Sequence, residues 1–386
     1  MRPRRVLSLA HRYSGLLIAL LAIVAALTGS LLSFAPELDR LLNPELLSPP
    51  HPAAGASPWP LAEQIAAAEA RQSDEPQWQA STIVPAQRGG QASAIWMRRP
   101  DPQKSGASRF LQVLVDPYTG TVLGQRERSR TDWSQTGLVR SLARLHGDLL
   151  LGAAGRWIMG IGALIWVLTS LVGLCLWWPG RQKLALALAI KRGAGRRRLI
   201  FDLHRVSGFY SAPVLLVVAF TGIYLALPTT VRPLVAALAP TEVTASPRVD
   251  ALADAPMLDP DQAVALARNV FPDGELRRVS LPSGPSQAYG VVFQCPQDIA
   301  RSSGGRSVVW VDPYRGDVLS VSDASNAPLG NAFINWQLPL HSGSAFGVVG
   351  RLLVCAAGLI ATLLTASGLL IWWQRGSTVH HRPDLQ

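Results

Sequence analysis

The pattern of hydrophobic and polar positions along the chain is dominated by four long apolar runs. The first covers residues 13–34 and is almost uninterrupted. At about 1.5 Å per residue, a helix of this length covers the roughly 30 Å hydrocarbon core of a bilayer. Three further runs match it, at residues 157–178, 209–227 and 352–373. The pattern predicts a membrane α-helical protein with four transmembrane helices.

The first run has an alternative interpretation as a cleaved signal peptide, because Arg4 and Arg5 precede it. Its apolar part is longer than the roughly 7–15 residues of a signal-peptide core. The same pattern also begins at residue 209, inside the chain, where no signal peptidase acts. We therefore expect the first run to remain in the protein as a span.

Basic residues outside the runs predict the orientation. The loop at 179–203 is strongly basic and has one acid, Asp202, and the N-terminus carries Arg2, Arg4, Arg5 and Arg12. Positive charge favours the cytoplasmic side, so both ends of the chain are expected there, in the inner membrane of a bacterium. The predicted segments are the N-terminus with the first span at 1–34, an external segment at 35–143, the second span with its external approach at 144–178, the cytoplasmic loop at 179–203, the third span at 204–227, an external segment at 228–338, the fourth span with its external approach at 339–373, and a cytoplasmic tail at 374–386.

The two external segments have the pattern of small α+β domains. In the first, helical spacing at 61–70 precedes alternating runs at 79–84, 93–97 and 110–115. In the second, helical spacing at 261–270 precedes runs at 277–281, 288–293 and 307–311. Each series ends in Asp-Pro-Tyr-x-Gly, a hairpin turn in which Pro fixes φ and Gly supplies a positive φ.

The chain also repeats itself at a spacing of about 195 residues. The motif His-Arg-x-Ser-Gly occurs at 11–15 and 204–208, and Val-Asp-Pro-Tyr-x-Gly occurs at 115–120 and 311–316. Leu-His recurs at 145–146 and 340–341, and Gly-Arg at 155–156 and 350–351. Since each half holds two spans, we predict a tandem parallel repeat whose halves are related by an axis along the membrane normal.

These motifs resemble the PepSY-associated transmembrane family, also called iron-regulated membrane proteins. The resemblance rests on the V-D-P-Y-x-G unit between spans that open with H-R-x-S-G, and it covers nearly the whole chain. It implies two PepSY-like external domains and an inner-membrane protein linked to iron uptake. Some members are similar to ferric-siderophore reductases that carry haem in the membrane.

Four of the seven histidines form repeat-related pairs near the ends of the spans. His11 and His204 are expected at one depth on the cytoplasmic side, and His146 and His341 at one depth on the external side. Two imidazoles that face each other at equal depth on different helices are the ligands that a haem iron needs. The sequence therefore predicts two haems b, with these four histidines as axial ligands.

Neighbouring residues extend the predicted sites. Gly15 and Gly208 follow their histidines by four residues, on the same helix face, where a porphyrin could lie against the backbone. The candidates to bind propionates are Arg12, Arg205, Arg156 and Arg351. For Arg12 and Arg205 an equally good interpretation is a positive charge that anchors the span on the cytoplasmic side.

The alternative for the histidines is a hydrogen-bonded structural role at the ends of the spans, which is the commoner fate of a single histidine there. A bare metal site is disfavoured because no carboxylate or cysteine is near any of the four in sequence. The other three histidines, His51, His380 and His381, lie in polar or Pro-rich segments and are expected to be solvated.

Composition changes this interpretation little. A net charge of +11 could indicate nucleic acid binding, but the basic residues concentrate at the ends of apolar runs, so we expect the lipid bilayer as partner and no nucleic acid. The chain contains no C-x-x-C-H, which excludes covalent c-type haem, and its three cysteines are too scattered for a disulfide framework. Without a dinucleotide fingerprint, the electron donor is expected to be a quinol, another protein or a diffusible reductant.

Together these features predict an oxidoreductase that passes electrons across the membrane to a periplasmic ferric siderophore, a substrate that the family resemblance alone implies. The alternative is a membrane-anchored PepSY module that binds a protein or regulates a protease without redox activity. A transporter is a third interpretation, disfavoured because no span is expected to be broken at mid-depth.

Overall fold

The computed structural model describes residues 3–50, 52, 55–74, 77–101, 107–128, 131–180, 183–191, 193, 195–242, 246–252, 255–296, 298 and 307–376. Predictions about several residues lie outside this part of the chain: Arg2, His51, His380, His381, the tail from residue 377 and part of the basic loop at 179–203.

Long helices alternate with groups of strands along the chain. The helices are α1 (Pro3–Leu32), α2 (Ala35–Leu42), α3 (Pro44–Leu47), α4 (Leu61–Ala70), α5 (Leu138–Asp148), α6 (Ala153–Trp177), α7 (Leu184–Leu188), α8 (Arg196–Ala226), α9 (Pro228–Leu238), α10 (Pro260–Arg268), α11 (Leu329–Ser342) and α12 (Gly347–Gly376). The strands are β1 (Gln79–Val84), β2 (Ser93–Pro100), β3 (Ser108–Val115), β4 (Val122–Glu127), β5 (Glu275–Ser280), β6 (Tyr289–Gln294), β7 (Ser307–Val311) and β8 (Val318–Ser322).

The chain divides into two compact units. The membrane unit consists of Met1–Ala35, Leu142–Leu234 and Trp336–Gln386. The sheet unit consists of Pro36–Ser141 and Val235–Asn335. Each unit therefore combines material from both halves of the sequence.

Four helices of the described chain are long and apolar enough to cross a membrane, namely α1, α6, α8 and the segment Ser344–Gln374 that holds most of α12. This confirms the multi-pass membrane protein predicted from the apolar runs. The helices α1 and α8 begin about ten residues before the predicted spans, at Pro3 and Arg196. Polar and basic residues can continue a helix outside the hydrocarbon, where hydropathy no longer detects it.

In the membrane unit, α1 and α8 each pack against both α6 and α12. The helices α1 and α8 are therefore diagonal to one another, and so are α6 and α12. Pro213 lies inside α8, a feature that the argument against a transporter overlooked, but the helix continues through it from Arg196 to Ala226. The span is thus unbroken although it contains a proline.

The sheet unit contains one antiparallel sheet of eight strands in the order β4-β3-β2-β1-β5-β6-β7-β8. The two segments meet at its centre, where β1 pairs with β5 through Thr82 opposite Ser280 and Ile83 opposite Val279. The sequence predicted two separate external domains, whereas the structure joins them through a shared sheet. The two segments therefore belong to one folded unit.

One face of the sheet forms the main core with α4 and α10. A row of fully buried apolar residues crosses its strands: Ile83, Ile95, Val113, Val279, Val291 and Val309. The alternation predicted in six of the strands places these residues on one face, because side chains in a strand point to opposite faces in turn.

The Asp-Pro-Tyr-x-Gly segments form the predicted turns. Gly120 and Gly316 have φ of +70° and +75°. Asp116 and Asp312 each accept a hydrogen bond from the backbone N–H two residues later, at 2.9 and 2.7 Å. The turns lead into β4 and β8, which the sequence did not predict because their residues are partly polar or exposed and lack a clear alternation.

Candidate cofactor site

The structure brings the four predicted histidines together as two pairs, both within the membrane unit. His11 on α1 and His204 on α8 face each other across a diagonal of the bundle, and their ring centroids are 6.3 Å apart. His146 on α5 and His341 on α11 have ring centroids 6.0 Å apart. We call these the first and the second histidine pair. The second pair lies on short helices that precede the spans α6 and α12, not on the spans.

The separation of the rings can be compared with a metal held between them. An imidazole nitrogen binds a first-row metal at about 2.0 Å, so each ring centroid is about 3.1 Å from the metal. Rings on opposite sides of one iron then have centroids about 6.2 Å apart, whereas two ligands of a tetrahedral zinc are about 5 Å apart. The distances of 6.3 and 6.0 Å fit two ligands on opposite sides of an iron.

Each of the four rings is oriented by a backbone carbonyl of a neighbouring span. His11 Nδ1 is 3.0 Å from the oxygen of Thr169, and His204 Nδ1 is 3.1 Å from that of Leu364. A carbonyl oxygen only accepts, so Nδ1 carries the proton. Nε2 is then unprotonated and can bind a metal. The hydrogen bond from Nδ1–H to the carbonyl fixes both the tautomer and the orientation of the ring, as in many metal-binding histidines.

The second pair follows the same rule. His146 Nδ1 donates to the carbonyl of Ala25 at 3.1 Å, and His341 Nδ1 donates to that of Val218 at 2.9 Å. The hydroxyls of Thr28 and Thr221 lie 3.1 Å from the same nitrogens. Each hydroxyl donates to a carbonyl of its own helix, so toward the histidine it accepts. Both threonines precede a glycine, so the dipeptide Thr-Gly at 28–29 recurs at 221–222.

Two glycines allow the rings to approach the neighbouring spans. A Cβ placed on Gly173 would lie 2.9 Å from His11 Cε1, and one on Gly29 would lie 3.0 Å from His146 Cε1. In the other half of the chain the corresponding distances are larger. A Cβ on Gly368 would lie 3.5 Å from His204 Cε1, and one on Gly222 would lie 3.3 Å from His341 Cε1. The sequence predicted no role for these glycines. Each glycine recurs at about the repeat spacing, Gly29 as Gly222 and Gly173 as Gly368, and this recurrence could have indicated a role.

The two pairs lie at different levels of the bundle, closer together than the length of a span. Ala25 and Gly29, which contact His146, lie 14 and 18 residues beyond His11 on α1. At about 1.5 Å per residue the levels are about 21 to 27 Å apart along the helix. The sequence placed the histidines at the ends of the spans, roughly 33 Å apart for 22 residues. That distance was too long because His11 lies inside α1 and His146 packs against its interior.

A cavity of about 680 Å³ lies beside the first pair, a size that can hold a large cofactor. Both histidines line it, as do Gly15, Gly208 and Trp166. A Cβ on Gly15 would meet no atom within 4 Å, so this glycine faces open space. The predicted place of a porphyrin beside Gly15 and Gly208 is compatible with this geometry.

The two arginines of the H-R motif differ. Both line the cavity, but Arg205 forms an ion pair with the buried Asp202 at 3.1 Å and donates to the carbonyl of Ala189 at 3.0 Å. Asp202 also accepts from Arg198 at 3.0 Å. Position 9, which corresponds to Asp202 in the first half, is Leu9. Arg12 is therefore the better candidate to meet an anionic group in the cavity, because within the described part of the chain no carboxylate corresponds to the partner of Arg205.

The arginines of the repeated Gly-Arg motif are not brought to a common site. Arg156 is exposed on α6. Arg351 donates from Nε to the carbonyl of Ser33 at 2.7 Å and lies 4.4 Å from the ring centroid of Phe34. The glycine of the motif has a packing role, because a Cβ on Gly155 would lie 1.6 Å from the carbonyl oxygen of Asp148. Packing therefore explains the glycine of the motif, and the propionate-binding role of Arg156 and Arg351 stays a prediction.

Among the described residues, no group of three or more His, Cys, Asp or Glu side chains could hold a metal ion. The histidine pairs offer two ligands each, which suits a metal whose other ligands come from a porphyrin. All three cysteines are free, and Cys295 is buried in the sheet unit.

Comparison with known families identifies the class of protein. The model of the PepSY-associated TM region matches residues 8–375, almost the whole chain. The protein therefore belongs to this family, as the H-R-x-S-G and V-D-P-Y-x-G motifs predicted. A comparison with curated proteins found no match.

Proposed function

We propose that this protein is a membrane reductase with two haems b, one held by His11 and His204 and the other by His146 and His341. The observation that carries the proposal is the arrangement of the four histidines: two facing pairs with ring separations of 6.3 and 6.0 Å, every ring with its Nδ1 bonded to a backbone carbonyl. Haem supplies reversible one-electron chemistry, and bis-histidine ligation leaves the iron no open position for a substrate.

The chain itself orients the ligands. The carbonyls of Thr169 and Leu364 hold the first pair in one tautomer, and Gly173 lets His11 lie close to α6. A hydrogen bond from Nδ1–H raises the basicity of the imidazole and favours the oxidised form of a bound metal. Arg12 and Arg4 line the cavity and favour an anionic cofactor there.

The proposed location is the inner membrane of a bacterium, with both ends of the chain in the cytoplasm and the sheet unit in the periplasm. The basic residues support this orientation: Arg196, Arg197 and Arg198 form the first turn of α8, at the end of the span that is predicted to face the cytoplasm. The first histidine pair is then nearer the cytoplasm and the second nearer the periplasm.

The substrate that we propose is a periplasmic ferric siderophore. One electron converts its Fe³⁺ to Fe²⁺, a softer ion that hard oxygen ligands hold less tightly, so the chelate releases iron. The electron comes from a quinol, a protein or a diffusible reductant on the cytoplasmic side. Family membership supports this choice, together with two redox sites at different levels of one bundle.

We further propose that the fold is a tandem parallel repeat. The contacts of the histidines support it, because the partners of His11 and His204, and those of His146 and His341, recur about 195 residues apart. In this view the two segments of the sheet unit are the two PepSY-like domains, joined edge to edge.

An absorption spectrum of the protein in detergent tests the proposal. We expect a Soret band, reduced α-bands typical of haem b, and complete release of the haem by acid-acetone, since no covalent attachment motif exists. Reduced protein should then reduce a ferric siderophore. Protein that binds no haem after expression with excess haem contradicts the proposal and favours a PepSY module without redox activity.

A further inference from the structure

The second face of the sheet, opposite α4 and α10, carries polar and aromatic residues in register. Trp96 on β2 pairs with Gln112 on β3, and Gln112 pairs with Arg126 on β4. Trp96 and Gln112 alternate with buried core residues of their strands, and Arg126 shares their face because it is paired directly with Gln112. They form the floor of a small region of the sheet unit in which arginines concentrate.

Three arginines lie on or beside this part of the sheet. Arg140, from α5, donates to Oε1 of Gln112, and its Cζ is 5.4 Å from the centroid of Trp96. The Cζ of Arg128 is 5.6 Å from the same ring. Arg126 is only 7% exposed. Two of these cations therefore lie near the ring of Trp96, and Arg126 lies two strands away on the same face. We call Arg126, Arg128 and Arg140 the arginine cluster.

The charge of the arginine cluster is only partly balanced. Asp39 accepts from Nη1 of Arg126 at 2.7 Å. Glu127, the acidic residue of β4, forms its ion pair with Arg109 and not with the arginine cluster. Among the described residues no acceptor reaches Nε and Nη2 of Arg126 or Nη1 of Arg140, although all three nitrogens are buried. Buried charged donors without an acceptor are costly, so a group with several acceptor oxygens would stabilise this arrangement.

The electrostatics agree with the geometry. The pKa of Arg140 is lowered to about 10, mainly by burial and also by the charges of Arg126 and Arg128, while the charge of Asp39 opposes them. The cluster therefore contains more positive charge than its own carboxylate neutralises, and an added anion would lower this repulsion.

We propose that Arg126, Arg128 and Arg140 form a binding site for an oxyanion, a carboxylate or a phosphate group. Guanidinium groups match these anions because two parallel N–H donors meet two oxygens. Arg128 is exposed and Arg140 half-buried, so a ligand reaches the site from solvent on that side. The flat ring of Trp96 supplies an apolar surface beside the anion.

Two sources could supply this chemistry. One source is a ferric chelate of the kind that bears a carboxylate not bound to the iron, and this source rests on the proposed function. A lipid headgroup carries a phosphate, and this source does not. The site itself requires neither haem nor redox activity, so its test is separate from the test of the proposed function.

The experiment is calorimetric titration of the full chain, purified in a maltoside detergent that contains no phosphate, with citrate and with inorganic phosphate as probes. We expect binding that weakens about tenfold to a hundredfold in Arg128→Gln and in Arg140→Gln, since each removes charge-assisted hydrogen bonds. Arg315→Gln is the control, because Arg315 pairs with Asp312 at the turn before β8. Arg128 is exposed, so its variant should fold normally.

The same titration in phosphatidylcholine nanodiscs separates the sources. Retained citrate binding assigns the site to a soluble oxyanion, and loss of citrate binding only in nanodiscs assigns it to lipid phosphate. Either result supports the proposal. The proposal is wrong if the wild-type chain binds neither probe in maltoside, or if Arg128→Gln and Arg140→Gln bind both as tightly as Arg315→Gln does.

Discussion

Asp261, in the second segment of the sheet unit, caps helix α4 of the first segment. Its Oδ1 accepts a hydrogen bond from the backbone N–H of Leu61 at 2.8 Å, and its Oδ2 accepts one from the backbone N–H of Ala62 at 2.9 Å. These are two of the N–H groups at the start of α4 that have no partner within the helix. The carboxylate also lies at the positive end of the helix dipole. One side chain of α10 thereby replaces the N-cap that Pro60 cannot provide.

We therefore expect Asp261→Ala to lower the free energy of unfolding of the sheet unit by about 1 to 2 kcal/mol. Pulse proteolysis in denaturant, with detection of fragments from residues 36–141, measures this. The exposed Asp273 supplies the control, since Asp273→Ala should change the free energy by less than about 0.5 kcal/mol. Equal effects of the two variants would mean that the cap contributes nothing.

The histidine pairs lead to the sharpest prediction about the cofactor. His11→Ala and His204→Ala should remove the same spectral component, and the double variant should lose little more, because either change breaks a bis-imidazole site. His146→Ala and His341→Ala should behave likewise with the second component. His11→Ala combined with His146→Ala should remove both components.

Absorption and electron paramagnetic resonance spectra distinguish the two components. Full haem content in the double variant His146→Ala, His341→Ala would show that the second site does not exist. In that case the protein holds one haem, and its remaining histidines have a structural role.

Gly173 and Gly368 occupy equivalent positions in the two halves, but an added Cβ would lie closer to a histidine at Gly173. The two glycines therefore allow a matched comparison. Gly173→Ala should displace His11, because the new Cβ would lie 2.9 Å from His11 Cε1, and should reduce the haem retained at the first site. Gly368→Ala places its Cβ 3.5 Å from His204 Cε1, an ordinary contact, and should leave the haem content unchanged. Haem-to-protein ratios after purification measure both effects, and equal ratios would contradict the prediction.

The hydroxyls beside the second pair should adjust its reduction potential. Thr28→Val and Thr221→Val each remove an acceptor 3.1 Å from a histidine Nδ1 and leave the carbonyl acceptor in place. The imidazole becomes a weaker electron donor, so the midpoint potential of this site should rise. Spectroelectrochemical titration measures the change. Thr362→Val is the control, since Thr362 bonds to the carbonyl of Gly358 in its own helix, and a fall in potential would contradict the argument.

The orientation of the protein can be tested with reporter fusions. Alkaline phosphatase fused within the described loop after Leu47, or after Asn326, should be active, because both segments share one sheet and are proposed to be periplasmic. Fusion at Gly193 should be inactive. An active fusion at Gly193 with inactive fusions in both segments would reverse the proposed direction of electron flow.

The sequence predicted those parts of the fold that have a strong local period. It placed α4 and β1 at their exact bounds, although β1 contains an irregularity between Ala80 and Thr82 that interrupts its alternation. It missed α5 and α11, whose apolar spacing is short and lies next to a much stronger apolar run. Which histidines form pairs was predictable, because the chain has few histidines and His11 and His146 recur as His204 and His341.

The rest of the site depends on tertiary contacts that no local pattern contains. The carbonyl of Thr169 lies beside His11 only because α1 and α6 pack together, and any residue type could supply that oxygen. The pairing of β1 with β5 joins strands separated by two spans, so their alternation alone gives no register between them. Similarly, the Asp202–Arg205 ion pair became visible only once α8 was found to begin at Arg196.

The central ladder between β1 and β5 also constrains how the chain is completed during synthesis. β1 leaves the ribosome long before β5, with α6 and α8 still to be inserted between them. During that interval β1 is an edge strand whose free N–H and C=O groups can pair with other chains. Long-range strand pairing is slow to form, so the nascent first segment has an exposed edge for as long as translation of the second half requires. A message truncated before residue 275 would therefore yield a membrane-bound fragment with an open, aggregation-prone sheet edge.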